Sequence, residues 1–338
     1  SRHTMPDSDT AIKDGERKTL FLFPGQGSQY RGMGSDLYED YACVREIYHE
    51  ATDILGYDMA ELSFLDPDEQ IHLTRYTQPA LLTHSIACLK AYEEQATRRV
   101  IPQVSAGHSL GEYCALLSAG ALDFRTALSL VSRRGELMSQ YGEGEMEALP
   151  LRLEEAMPLA QKHLCSIAAC NMPDQTVVGG RPSDLDALVV EFTEQYPKKR
   201  SARLKTEGAF HTYYMVEAAR HFRSVLDQAT IRSPDLQVLS NYTGTFHDPD
   251  SRTIKSCLFW QLFHPVLWND NLTTAVEGGI NTIVEFGGGI GQGETPTEKK
   301  PNLAGIVRKT FRRATCPPVY HAVINSETLA ETVEALSS

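Results

Sequence analysis

The segment VSAGHSLGE at positions 104–112 indicates how the chain around it folds. A short apolar run, 100–106, precedes Gly107-His108-Ser109-Leu110-Gly111, and residues 112–119 have a helical pattern. A G-x-S-x-G sequence between a strand and a helix is typical of a tight turn that exposes the serine hydroxyl. The flanking glycines permit close backbone approach, and the N–H of Leu110 would point at a developing oxyanion. The order strand, turn, helix predicts an α/β layer architecture.

The flanking sequence extends this prediction on both sides of the serine. Residues 19–23 form an apolar run that ends at Pro24-Gly25, which predicts a buried strand. Helices are predicted over 35–55, 77–97 and 124–140, and the helix 77–97 is expected to have one apolar stripe. A further strand is predicted over 282–285, before three glycines, and the polar segment 290–302 predicts an exposed loop.

The middle of the chain has a different pattern. Strands are predicted over 145–151, 164–170, 175–178 and 200–206, with helices over 152–163 and 183–196. The order β-α-β-β-α-β is that of the ferredoxin-like split unit. We therefore expect a ferredoxin-like small domain at 144–207, inserted into a large catalytic domain with a parallel sheet core that comprises 19–143 plus 208–338. Residues 1–18 are expected to be a disordered arm, with a tag remnant at its start.

Composition excludes several classes of function. The net charge of −12 argues against a nucleic-acid binder, which needs a broad basic surface. No apolar run is long enough to predict a membrane span, and no secretory leader is recognisable, so we expect a cytoplasmic protein. The seven cysteines are scattered, without CxxC or zinc-like spacing, which indicates reduced thiols and no metal site. Two Asn-x-Thr sequons, at Asn241 and Asn271, mean little without a secretory context.

A serine nucleophile needs a base, and the chain offers eleven histidines. His108 adjoins Ser109, and its position in the turn points it away from the serine. His211 lies in Gly208-Ala209-Phe210-His211, in a predicted loop just after the small domain. Spacing alone does not select among the histidines.

Five motifs in one order give the chain a family resemblance. They are PGQGSQYRGMG (24–34), GHSLGEY (107–113), RRGELM (133–138), GAFH (208–211) and QLFHPVLW (261–268). Together they resemble the malonyl-CoA:acyl carrier protein transacylases and, equally, the acyltransferases that serve polyketide synthases. The resemblance spans about residues 19–330 and implies an α/β-hydrolase-like large domain.

The resemblance also implies roles for individual residues. Ser109 matches the acylated nucleophile, and His211 matches its general base in a Ser/His dyad. Gln261 matches the position whose carbonyl orients the histidine. Gln26 matches the oxyanion-hole residue that acts together with the N–H of Leu110.

Substrate contacts follow from the same resemblance. Arg134 matches the arginine that binds the malonyl carboxylate, since a guanidinium can hold a carboxylate with two hydrogen bonds. The adjacent Arg133 is a weaker candidate. Asn171 matches a family asparagine near the site, and His108 is a further candidate for contact with the acyl carboxylate.

The implied reaction is ping-pong. Malonyl-CoA acylates Ser109, and the phosphopantetheine thiol of an acyl carrier protein then accepts the malonyl group, without any bound cofactor or metal. An acidic carrier protein calls for a local basic surface, for which 198–200 and 308–313 are the candidates. Enzymes of this type that are discrete chains are usually monomers, and a monomer is expected here.

Four features depart from the family pattern. Thr212 stands where serine is usual, residues 145–148 carry two glutamates in place of small residues, three glycines (287–289) replace a Gly-Pro-Gly motif, and 290–302 resembles an insertion. These changes suggest a specialised acyltransferase of secondary metabolism. They leave open a transferase for a non-malonyl or carrier-bound acyl group, and a hydrolase that clears stalled carrier proteins. A catalytically silent docking module is disfavoured because the candidate site residues are intact.

Overall fold

A five-stranded parallel sheet lies at the centre of the larger part of the chain. The computed structural model describes residues 16–338, so most of the predicted arm, 1–15, lies outside the described residues. Numbered in chain order, the strands of this sheet are β1 (Thr19–Phe23), β2 (Val104–Gly107), β7 (Gln237–Val238), β8 (Thr282–Phe286) and β9 (Val319–Val323). Their order is β7-β2-β1-β8-β9, and every neighbouring pair is parallel.

The bounds of β1 and β2 show where local sequence predicts a strand correctly and where it does not. All five residues of β1 are buried, as an apolar run in a sheet covered on both faces requires, and its predicted bounds are confirmed. The predicted start of β2 at Val100 is wrong, because the strand begins at Val104. Pro102 has no N–H for a strand ladder, and Gln103 instead bonds to Thr19 through both its backbone N–H and its side chain.

Helices cover both faces of this sheet. Their bounds are α1 (Ser35–Asp40), α2 (Ala42–Leu55), α3 (Met59–Phe64), α4 (Thr74–Gln95), α5 (Gly111–Ser118), α6 (Phe124–Gln140), α9 (Val216–Gln228), α10 (Ser251–Gln261), α11 (Trp268–Glu277), α12 (Ala304–Thr310) and α13 (Ser326–Ala335). Side-chain caps fix several N-termini. Asp123 accepts a hydrogen bond from Thr126 N at the start of α6, and Asp250 does the same with Thr253 N at α10.

The helix α4 differs from its prediction. It begins at Thr74 rather than Thr77, and it is buried on nearly all sides from Thr77 to Leu89 instead of along one stripe. It packs against α2, α6, α13 and β8, so the helix has almost no solvent-facing side. Its buried polar residues, among them Gln78, must therefore find partners inside the protein.

A second, antiparallel sheet is formed by the middle of the chain. Its strands are β3 (Glu145–Leu149), β4 (Ser166–Met172), β5 (Gln175–Gly180) and β6 (Ala202–Leu204), in the order β4-β5-β3-β6. The helices α7 (Leu153–Lys162) and α8 (Pro182–Gln195) complete the predicted β-α-β-β-α-β order. These elements pack around their own apolar cluster, which includes Leu149, Val178 and Phe192.

The two sheets meet next to the region that follows α10. Ala169 of β4 forms a parallel bridge with Val266, and Cys170 N donates to Val266 O at 2.8 Å. Ala168, Ala169 and Val177 share one buried apolar cluster with side chains of the parallel sheet. These contacts hold the antiparallel sheet beside residues 262–267, which connect α10 to α11.

The segment 290–302 is exposed, as predicted, but it is not without structure. Ile290 and Lys300 exchange two backbone hydrogen bonds of 2.8 Å, and a 3-10 turn spans Pro296–Glu298. Lys299 Nζ lies 4.8 Å from the centre of the Tyr30 ring, so the loop packs on the segment that follows Gln26. Within residues 16–338, no helix is both long and apolar enough to cross a membrane.

Candidate active site

Ser109 lies in a tight turn between β2 and α5. Its φ of 58° is in the left-handed region, which non-glycine residues rarely adopt. A Cβ on Gly107 would lie 1.9 Å from the C and O atoms of Gly111, so the two ends of the turn approach too closely for any other residue. The predicted role of these glycines in the turn therefore has a direct steric basis. Backbone strain of this kind is common at functional sites.

His211 faces the serine. Its Nε2 lies 2.8 Å from Ser109 Oγ, and its Nδ1 lies 2.8 Å from the backbone oxygen of Gln261. A hydrogen bond from Nδ1–H to that carbonyl leaves Nε2 unprotonated and able to accept the serine proton. Burial, helped by the positive charge of Arg134, lowers the pKa of His211 to about 3, so the imidazole is neutral near pH 7. Its own φ of 63° is again left-handed.

Arg134 lies on α6 and is completely buried beside Ser109. Its Nη1 donates to Gln78 Oε1 at 2.9 Å, and its Nη2 donates to Gln261 Oε1 at 2.9 Å and to Ser109 Oγ at 3.3 Å. Among residues 16–338, no carboxylate lies within ion-pair distance of this guanidinium. Burial lowers the pKa of Arg134, yet an arginine retains its proton in proteins. The site therefore holds a buried cation that lacks a counter-ion in direct contact.

The predicted oxyanion donors lie on two adjoining loops. Leu110 immediately precedes the first residue of α5, where N–H groups have no partner within the helix. A Cβ on Gly25 would lie 2.5 Å from His108 O, so the loop that carries Gln26 touches the serine turn. The Gln26 amide itself donates to Thr74 Oγ1 at 3.1 Å rather than to Ser109. The amide nitrogen carries a second N–H, which this bond leaves for a substrate oxygen.

The two weaker candidates are joined to each other. His108 Nε2 lies 2.8 Å from Asn171 Oδ1, and the His108 ring packs at 5.3 Å against Trp268. This pair connects the serine turn to β4 of the antiparallel sheet. The candidate Arg133 is directed elsewhere: its side chain is 46% exposed and lies 3.9 Å from Glu136.

The two glutamates at 145–148, which depart from the family pattern, belong to an ion-pair cluster around Arg203. Arg203 Nε donates to Glu147 at 2.6 Å, while its other nitrogens donate to Glu145 at 3.1 Å and to Asp186 at 2.7 Å. The Glu147 side chain is only 4% exposed. One arginine of β6 therefore forms ion pairs with both carboxylates within the antiparallel sheet.

Comparison with known proteins matches this chain to one family. The family model described as "Acyl transferase domain" matches residues 20–287. The malonyl CoA-acyl carrier protein transacylase of Bacillus subtilis is 36% identical over 88% of this chain and 91% of its own length. The polyketide biosynthesis malonyl CoA-acyl carrier protein transacylase BaeC of Bacillus velezensis is 36% identical over 80% of this chain and 92% of its length. The chain belongs to the acyl transferase family.

Solved structures agree with this family. The enzyme from Streptococcus pneumoniae, named MCAT, has a TM-score of 0.83 at 32% identity, covering 94% of this chain and all of that one. A malonyl-transacylase in complex with a type II PKS acyl-carrier protein has a TM-score of 0.81 at 29% identity, covering 94% and 99%. The family resemblance inferred from the five motifs is therefore confirmed.

Two buried residues of this acyl transferase that support the serine turn, Asn241 and Glu112, were not identified from the sequence. Asn241 Oδ1 accepts a hydrogen bond from Ser109 N at 2.8 Å, and Asn241 Nδ2 donates to Gly107 O at 2.9 Å. Gln261 Nε2 donates to Ser109 O at 3.0 Å and to Glu112 Oε1 at 3.1 Å. Asn241 had only a sequon as a signal, and Glu112 none beyond its place in GHSLGEY.

Proposed function

We propose that this acyl transferase moves a malonyl group from CoA to the phosphopantetheine thiol of an acyl carrier protein. The observation that carries the proposal is the completely buried guanidinium of Arg134, 3.3 Å from Ser109 Oγ and without a carboxylate partner. A buried cation is costly unless it is paired. The free carboxylate of a malonyl group on Ser109 would supply that partner, whereas an acetyl group would not.

The first half-reaction follows from the serine and its base. Ser109 Oγ attacks the thioester carbonyl while His211 Nε2 takes the hydroxyl proton, and the tetrahedral intermediate carries its negative charge on the former carbonyl oxygen. The Leu110 N–H and the Gln26 amide are the proposed donors to that oxygen. When the intermediate collapses, the CoA sulfur leaves with the proton from His211, and the malonyl group remains as an ester on Ser109.

The second half-reaction reverses these steps with another thiol. The phosphopantetheine sulfur gives its proton to His211 and attacks the ester carbonyl, and Ser109 leaves with the proton restored. The names of the Bacillus relatives, and of the solved complex with an acyl-carrier protein, support a carrier as acceptor. The neutral imidazole of His211 suits both directions because it can accept and return one proton.

A basic surface on α12 is the better of the two candidate carrier sites. Arg308 and Arg312 line a groove whose other members are mostly apolar, namely Pro301, Ala304, Val307, Phe311, Pro317, Pro318 and Tyr320. An apolar groove with a cationic rim suits a small acidic protein. The second candidate, 198–200, is exposed. Its Lys199 already makes a cation–π contact, because Lys199 Nζ lies 5.1 Å from the centre of the Tyr196 ring.

The remaining assignments belong to the same proposal. The enzyme would act as a cytoplasmic monomer without a bound cofactor, in a polyketide or related pathway. We also propose the division into domains at 144–207, with a ferredoxin-like small unit and a hydrolase-like large one. The strand order β4-β5-β3-β6 and the strand-turn-helix at Ser109 support these two labels.

The test is intact-protein mass spectrometry after brief mixing with malonyl-CoA. The wild-type protein should gain the mass of one malonyl group, and Ser109→Ala should gain none. Acetyl-CoA in a parallel reaction should label the wild type more slowly. Addition of a phosphopantetheinylated carrier protein should remove the label from the enzyme and place it on the carrier.

Other outcomes would separate the alternatives. Loss of the label to water at the same rate with and without carrier would favour the hydrolase. A wild-type protein that takes no malonyl group, but does take another acyl group, would refute the malonyl assignment and keep the acyl-serine chemistry.

A further inference from the structure

A buried ion pair lies behind the serine turn and is not used by the proposed chemistry. His247, in the segment after β7, has its Nε2 2.5 Å from Oε2 of Glu112 on α5. Both side chains are only 1% exposed. Burial alone would lower the pKa of His247, but contacts with Cys257 and with Glu112 outweigh it and raise the pKa to about 9. His247 is therefore protonated near pH 7.

Only one amide side chain separates this ion pair from Arg134. Glu112 Oε1 accepts a hydrogen bond from Gln261 Nε2 at 3.1 Å, and Gln261 Oε1 accepts one from Arg134 Nη2 at 2.9 Å. Burial lowers the pKa of Arg134, whereas Tyr113 and the negative charge of Glu112 oppose that shift and favour the charged guanidinium. In a low-dielectric interior such charges interact strongly even without direct contact.

The summed charge of Arg134, Glu112 and His247 sets the net charge that surrounds an acyl group on Ser109. If Glu112 were the only other charged group near Arg134, the two charges would cancel. An incoming carboxylate would then give the buried site a net negative charge. Protonated His247 supplies the third charge. The trio then carries one net positive charge when empty and becomes neutral when a malonyl carboxylate binds.

We propose that His247 is a specificity-determining residue: by neutralising Glu112, it leaves the positive charge of Arg134 available to a carboxylate on the acyl group. The inference rests on the proposed function, since it concerns the same acyl site. Within residues 16–338, His247 forms no hydrogen bond with Ser109 or His211. Its effect would therefore be on the choice between acyl groups and not on the chemistry common to them.

The test compares charge removal at one and at both members of the pair. His247→Gln removes the positive charge, and the double variant Glu112→Gln/His247→Gln removes both charges while keeping amide hydrogen bonds. His221→Gln is the matched control, because this histidine is exposed on α9 and bonds to Tyr141. For each protein, kcat/KM is measured for loading from malonyl-CoA and from acetyl-CoA at pH 7.5.

His247→Gln should lower the malonyl-to-acetyl ratio of kcat/KM about tenfold or more. A tenfold change is the usual size of the effect that one nearby charge has on a buried ionised group. The double variant should regain most of the lost ratio, because the unpaired Glu112 charge is gone. The control should keep the wild-type ratio. Equal loss of both kcat/KM values in His247→Gln, with no recovery in the double variant, would overturn the proposal and indicate a structural role.

The wild-type protein provides a second measurement in case His247→Gln does not fold. Raising the pH from 8 to 9.5 deprotonates His247 while Arg134 stays charged, so the malonyl-to-acetyl ratio should fall. Glu112 and Cys257 are the ionisable groups in contact with His247. A constant ratio would overturn the inference alone. A wild type that loads no malonyl group at any pH would instead refute the proposed function.

Discussion

Truncation of Arg134 to alanine isolates the feature on which the malonyl assignment depends. The guanidinium is buried, donates to Gln78 and Gln261, and lies 3.3 Å from the serine oxygen. Removal of one member of a buried, hydrogen-bonded charge pair costs about 2–5 kcal/mol. At 1.4 kcal/mol per factor of ten, a loss near 3–4 kcal/mol lowers kcat/KM for malonyl loading by about 10²–10³.

Acetyl loading should respond differently, because an acetyl group has no carboxylate to lose a partner. The expected decrease there is about tenfold or less, from lost packing and the lost contact with Ser109 Oγ. The malonyl-to-acetyl ratio should therefore fall by at least about tenfold. The malonyl-to-acetyl ratio of Arg134→Lys should lie between those of the wild type and of Arg134→Ala, since an ammonium keeps the charge but not the planar pair of donors.

The assay is mass-spectrometric loading over a range of acyl-CoA concentrations, with thermal melting to confirm that each variant folds. Arg133→Ala is the matched control, because the adjacent arginine is half-exposed and pairs only weakly with Glu136. It should load malonyl at the wild-type rate. If Arg134→Ala is folded and retains the wild-type preference for malonyl over acetyl, the reasoning from the uncompensated cation is wrong.

Three further predictions concern the base, the oxyanion site and the antiparallel sheet. Because the pKa of His211 is lowered to about 3, the base stays neutral in mild acid, and kcat/KM for malonyl loading should remain level from pH 8 to pH 5; a fall centred near pH 6.5 would contradict this. Gln26→Ala should lower kcat for loading about 10²-fold in single-turnover measurements, whereas an unchanged kcat would exclude Gln26 as a donor. Arg203→Ala leaves the buried Glu147 carboxylate without its partner, so the free energy of unfolding should fall by about 3 kcal/mol in a denaturant titration. A change below about 1 kcal/mol would show that solvent compensates the lost pair.

The parts of the fold that could be predicted are those decided by neighbours in sequence. The apolar run 19–23 before Pro24-Gly25 specifies β1, and Gly107 and Gly111 make the serine turn sterically possible. The alternating elements of the middle segment also follow from local periodicity. The errors occur where tertiary packing decides instead, as in α4, whose predicted single stripe is wrong because helices and the sheet enclose it on nearly all sides.

The candidate site divides in the same way. The candidate nucleophile Ser109 could be identified from its own pentapeptide. The proposed base could not, because His211 is 102 positions away and only the family resemblance selected it. The backbone of the turn is held by Asn241, 132 positions from Ser109 in the chain. No local pattern distinguishes that asparagine from any other polar residue after a short strand.

Buried charge is the property of this site that sequence reasoning was least able to reach. The net charge of −12 counts Arg134 and Glu112 together with every surface residue and takes His247 as neutral. Charged side chains are almost always exposed, so composition gives no sign that these three are buried. Their burial depends on contacts such as Glu112–His247, which spans 135 positions. Each buried charge is costly and persists only where other groups compensate it. Of these three groups, Arg134 alone has no oppositely charged group in direct contact in the empty protein. We therefore expect the carboxylate of a bound malonyl group to become its ion-pair partner.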